Sequence, residues 1–196
     1  MNPDDLKKVL AAHELWLKSN GSQGERADLS SADLRGADLS GAYLDGADLI
    51  GANLTGANLI GADLTNANLS GADLTGANLS RAYLRGVDLS AADLDSAVLR
   101  VAYLRGANLT SAILFDANLT NADLTSADLT SAYLSRANLS GANLFRANLL
   151  GARLTHADFT DANLVGADYT AAINPNFAGA HTSNPWVPCA CSICAA

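Results

Sequence analysis

Residues 27–46 read ADLSSADLRGADLSGAYLDG, four units of five residues built on one plan: Ala, an outward-capable residue, Leu, then two positions rich in Ser and Gly. Leu recurs at every fifth position from Leu29 to Leu164 except at Phe159, and Tyr169 extends the register. Ala stands two positions before each of these from Ala27 to Ala167, broken only by Val87. The plan runs through 29 consecutive units without insertion or deletion. A period of five fits neither an amphipathic helix nor a flat strand.

Within a unit the Ala and Leu are two residues apart. In a short extended segment they share a face, and the residue between them points outward. The Ser/Thr-Gly that follows is turn chemistry, since small residues and glycine let the chain bend sharply. The spacing therefore predicts a coil of short segments and tight turns with Leu and Ala inside. Each coil buries its leucines against the next, as solenoids do.

The units GADLTGANLS and their neighbours resemble the pentapeptide-repeat family, A(D/N)LXX, from Ala27 to about Ala171. The resemblance implies an all-β solenoid, a right-handed quadrilateral β-helix of about seven coils with four units per coil, some 35 Å long at about 4.8 Å per layer. Residues 1–26 are expected to form an N-terminal helical cap and linker, 27–172 the β-helix, and 173–196 an irregular C-terminal cap or tail.

The first cap is readable in detail. Asn2 suits an N-cap, Pro3 the first helical position, Asp4 and Asp5 the positive end of the dipole, and Gly21 a stop. Leu6, Val9, Leu10, His13, Trp16 and Leu17 recur at helical spacing, so His13 and Trp16 are expected to pack beneath the cap. At the other end Ile173, Phe177, Trp186, Val187 and Ile193 are apolar enough to cover the last coil, while Pro175, Pro185 and Pro188 preclude a long helix. Cys189, Cys191 and Cys194, with His181 upstream, leave three readings open: a metal site, a redox tail or unreactive thiols. They lack the two well-spaced pairs of a zinc site, and no metal or cofactor is assigned.

Composition narrows the function. Twelve basic against twenty acidic residues give a net charge of −8, which disfavours nucleic-acid binding. No apolar stretch is long enough to span a membrane, the N-terminus does not look like a secretory signal, and three cysteines confined to the tail fit a reducing compartment. A cytoplasmic monomer or weak homodimer follows. No catalytic residue is assigned: His156 beside Arg153, Asp158 and Asp161 lacks a cleft to exclude water.

With four units per coil, residues twenty apart stack. One outward column carries Asp28, Asp48, Asp88, Asp128 and Asp168. A second region is basic and aromatic: Tyr83 stacks beside Tyr103 and Arg85 beside Arg105, with Arg81 and Arg100 expected near the same corner and the arginines lying over the tyrosine rings. Val98, Ile113, Phe115 and Tyr133 are expected to gather around one corner within about two coils. These ten residues are the candidate contact surface for a protein partner, Tyr and Arg being favoured in interface hot spots. The alternative implied by the resemblance is a DNA mimic that modulates DNA gyrase or topoisomerase and protects against quinolones or toxins, with the acidic column imitating phosphates. Arg81, Arg85, Arg100 and Arg105 place positive charge against that alternative. The chain also lacks the loop insertion of many quinolone-protecting members, and its C-terminal region lacks the long amphipathic helix that suggests dimerisation.

Overall fold

In the computed structural model, which describes residues 1–182, the repeat closes into a right-handed quadrilateral β-helix capped by one α-helix. The middle residue of each unit forms a parallel bridge with the residue twenty positions on, as in Asp28 to Asp48 and Asp33 to Asn53. Each side of the square is thus one bridge residue wide, bounded on both flanks by turns. Four columns result, here named faces 1 to 4 after their first members Asp28, Asp33, Asp38 and Tyr43.

Three kinds of backbone bond hold neighbouring coils. Leu29 donates its N–H to the Asp48 carbonyl at 2.7 Å, Ser31 donates to Ile50 at 2.8 Å, and Asp48 donates back to Ala27 at 2.9 Å. A fourth bond, Ala32 N–H to the Leu29 carbonyl at 3.0 Å, closes the turn inside the unit. The second turn residue is left-handed at every corner, from Ser31 (φ 54°) through Gly36 (φ 62°) to Ala171 (φ 56°). Glycine adopts that conformation without a Cβ penalty, which explains its frequency at this position.

The interior holds the leucines and alanines, with Leu44 to Leu154 fully buried. Each buried Leu contributes about 1.5–3 kcal/mol. Val87 is also fully buried, and its turn bond to the Leu84 carbonyl stretches to 3.3 Å where Ala82 and Ala92 make theirs at 3.0 and 3.1 Å. The turn closed by Ala117 reaches 3.2 Å without a valine, so the two extra methyl groups are accommodated with the ladder intact.

Helix α1 (Pro3–Lys18) begins where expected, with the Asn2 side chain accepting the Asp5 N–H at 2.8 Å. Leu6, Val9 and Leu10 pack on the first coil. His13 is wholly buried, its Nδ1 accepts the Ala27 N–H at 3.0 Å, and Trp16 stacks on its ring at 5.6 Å. At the far end Phe177 meets Phe159 edge-on at 5.1 Å and Tyr169 at 4.9 Å. His181 continues face 4 by bridging Asn163. Trp186, Val187, Ile193 and the three cysteines lie outside the described residues.

Candidate functional site

Most outward residues serve the corners. An Asp or Asn in the middle of a unit accepts, on its Oδ1, the backbone N–H two residues on: Ser30 to Asp28 at 3.0 Å, Thr55 to Asn53 at 3.0 Å, Thr130 to Asp128 at 3.0 Å. Ser or Thr at that second position often adds its hydroxyl to the same oxygen, as Ser30 does at 2.6 Å. These bonds pull the carboxyls of Asp28, Asp38, Asp158 and Asp168 below the usual range, with the Ser or Thr hydroxyl the first cause. The Asp/Asn alternation is therefore set largely by the need for an acceptor, which either residue meets.

The cap fails wherever the middle residue cannot accept. Behind Tyr43, Tyr83, Val98, Tyr103, Ile113, Tyr133 and Arg153 the N–H groups of Asp45, Arg85, Arg100, Arg105, Phe115, Ser135 and Thr155 have no acceptor among the described residues. Three of these seven donors belong to arginines.

Those arginines surround a tyrosine pair on face 4. Tyr83 and Tyr103 bridge one another, are 51% and 43% exposed, and stack with ring centroids 5.1 Å apart and planes 12° from parallel. Arg81 and Arg100 occupy the turns that precede the pair, and Arg85 and Arg105 those that follow. The four arginines thus stand on two corners, one at each edge of the face, where a single corner was expected. Among the described residues no carboxylate lies within ion-pair distance of any of them; the four ion pairs there involve Lys8, Lys18, Arg35 and Arg136. The arginines do not cover the tyrosines either: arginine-on-ring contacts join Arg136 to Phe115, Arg146 to Phe145 and Arg153 to Tyr133. Arg85, Arg105 and their neighbouring glycines border an open recess of about 470 Å³.

The remaining candidates lie elsewhere. Ile113 and Tyr133 are bridged on face 2, the side opposite face 4, with Phe115 on the turn after Ile113 and Val98 on face 3. The ten residues accordingly spread over faces 2, 3 and 4 instead of gathering on one. The acidic column lies along face 1, where Asp28, Asp48, Asp88, Asp128 and Asp168 are interrupted by the neutral Asn68, Asn108 and Asn148.

The pentapeptide repeats family model matches residues 27–66, 62–100, 102–141 and 137–168. The chain belongs to the pentapeptide repeat family. Among solved structures, this pentapeptide repeat protein is similar to HetL, a pentapeptide repeat protein involved in heterocyst differentiation regulation from the cyanobacterium Nostoc sp. strain PCC 7120, at 34% identity over 86% of this chain and 92% of that one, TM-score 0.37. It is also similar to Rfr23 of the cyanobacterium Cyanothece 51142, at 39% identity over 47% of this chain, TM-score 0.42; that match spans 60% of the Rfr23 chain. QnrB1, a plasmid-mediated fluoroquinolone resistance protein, is 22% identical over 82% of this chain and 84% of its own, TM-score 0.34. No curated protein matches.

Within this family member the uncapped corners are what sequence reasoning missed. The signal was present: every such corner follows a unit whose middle residue is neither Asp nor Asn. Among the described residues no cluster of His, Cys, Asp or Glu could hold a metal, and no helix is long and apolar enough to cross a membrane.

Proposed function

We propose that the protein is a non-enzymatic scaffold that binds another protein on the outer faces of its β-helix, with the Tyr83/Tyr103 face as the principal contact. One observation carries this reading: a stacked, exposed tyrosine pair stands between four arginines that have no carboxylate in reach among the described residues, on a chain of net charge −8. Exposed Tyr and Arg together are the composition of interface hot spots, and unpaired cations on an acidic rod form a local site for an acidic partner surface. The reading assigns no catalytic residue, cofactor, nucleic acid or membrane, and places a monomer or weak homodimer in the cytoplasm.

The test is capture from the source cell on immobilised full-length protein, followed by mass spectrometry. Wild type is expected to retain a partner that Tyr83→Ala/Tyr103→Ala and Arg85→Glu/Arg105→Glu both release, with melting curves unchanged. Retention by both variants would show that face 4 is not the contact.

A second reading, a DNA mimic acting on DNA gyrase or topoisomerase, is favoured by the five aspartates aligned along face 1. The arginines of face 4 and the structural engagement of Asp28, Asp48, Asp88, Asp128 and Asp168 at their corners weigh against it. A supercoiling assay with and without ciprofloxacin decides: no effect at micromolar protein discards it.

A further inference from the structure

The first coil contains an arginine corner that is complete. Asp33 Oδ1 accepts both the backbone N–H of Arg35 at 3.3 Å and its Nε at 2.8 Å, while Arg35 Nη2 reaches Asp33 Oδ2 at 2.7 Å. One carboxylate thereby satisfies the main-chain donor and forms a bidentate pair with the guanidinium, the strong geometry for this ion pair. At Arg85, Arg100 and Arg105 the same corner has the arginine and lacks the carboxylate, because Tyr83, Val98 and Tyr103 stand where Asp33 stands. Their N–H groups have no acceptor among the described residues.

We infer that these three corners are receptor sites for carboxylates supplied by a partner protein, each pairing with the guanidinium as Asp33 pairs with Arg35. The inference rests on the scaffold reading above and specifies the chemistry of the partner. Arg100 lies at one edge of face 4 and Arg85 and Arg105 at the other, so the occupant is a short segment that crosses the face. Its acidic side chains reach both edges, and an apolar centre lies on the Tyr83/Tyr103 pair. The same column carries Asp63 directly below Tyr83 and Asp123 directly above Tyr103. These carboxylates confine the site to two coils and repel a polyanion laid along the rod, as does the net charge. A nucleic-acid strand is therefore the wrong occupant, and an acidic protein segment the fitting one.

The probe is a fluorescein-labelled peptide, Glu-Glu-Leu-Leu-Glu-Glu, titrated with full-length protein at low salt and followed by anisotropy. Wild type is expected to bind it and to ignore the corresponding lysine peptide and oligo-thymidylate of equal charge. Arg85→Glu/Arg105→Glu and the milder Arg85→Gln/Arg105→Gln weaken binding, the reversal by at least about tenfold. Tyr83→Asp/Tyr103→Asp supplies the missing carboxylates within the chain and also loses at least about tenfold. Arg136→Glu/Arg153→Glu makes the same charge change away from face 4 and alters affinity less than about threefold. Thermal melts establish that each variant is folded.

The inference is overturned if wild type does not bind the peptide, or if Tyr83→Asp/Tyr103→Asp binds it as wild type does. Equal loss in the Arg136/Arg153 variant would reduce the effect to net charge, and equal binding of oligo-thymidylate would make the site a general polyanion site; either result also overturns it. If the peptide fails while Tyr83→Ala/Tyr103→Ala still releases the captured partner, the carboxylate chemistry falls and the docking face stands.

Discussion

Val101 occupies a corner that suits glycine. Its φ is 57°, its side chain is exposed, and its N–H bonds the Thr120 carbonyl at 3.0 Å. A β-branched residue in the left-handed region is strained by about 1–2 kcal/mol, and the exposed side chain recovers little of that through packing. Val101→Gly is therefore expected to stabilise the protein by about 1 kcal/mol after the added entropy of the unfolded chain, a rise of about 2–4 °C in melting temperature. Calorimetry measures it, with Val87→Ala as a contrast in which methyl groups leave the interior. The two valines differ in how far the sequence discloses them. Val87 is conspicuous because the inner position otherwise admits only Ala, whereas the corner accepts Gly, Ser, Asn, Arg, His and Val alike and so hides its own backbone requirement.

At the scale of the element, α1 is joined to the β-helix by an imidazole. The Nδ1 of His13 accepts the Ala27 N–H. Burial is the first cause lowering its pKa, the Arg26 charge acts the same way, and the Asp45 carbonyl and charge partly oppose them. The folded protein therefore favours the neutral ring, while the unfolded chain takes up its proton near pH 6.5. The stability this contributes is fully present above about pH 6.5 and is lost as pH falls toward the lower folded value. Thermal melts between about pH 7.5 and pH 5 should show wild type losing more stability than His13→Asn. Much of this element was readable: the Asn2 cap, the Pro3 start and the apolar stripe all lie in local sequence. The Ala27 contact was not, because it joins residues fourteen apart through a bond that depends on docking angle. The same limit applies on the rod, where the twenty-residue columns followed from counting but the separation of Arg81 and Arg100 from Arg85 and Arg105 required tracking each turn around the square.

For the whole molecule, the uninterrupted register means that residue number alone determines the side on which a side chain emerges. Removing residues 107–116 deletes two units, keeps the Leu/Ala interior in phase and carries everything downstream through a half turn. Tyr133, now on face 2 beside Ile113, would stack directly on Tyr103. Cysteines placed at 103 and 133, with Cys189, Cys191 and Cys194 replaced by Ser, are expected to join on oxidation in the deleted protein, since adjacent rungs lie about 4.8 Å apart, within disulfide reach. The full-length protein should not form that link, and its absence from the deleted protein would show that the register does not transmit rotation. The corner turns thus act as the teeth of an indexing wheel: losing or gaining one unit advances the downstream surface by a quarter revolution, and a new combination of faces can arise without altering a single outward residue.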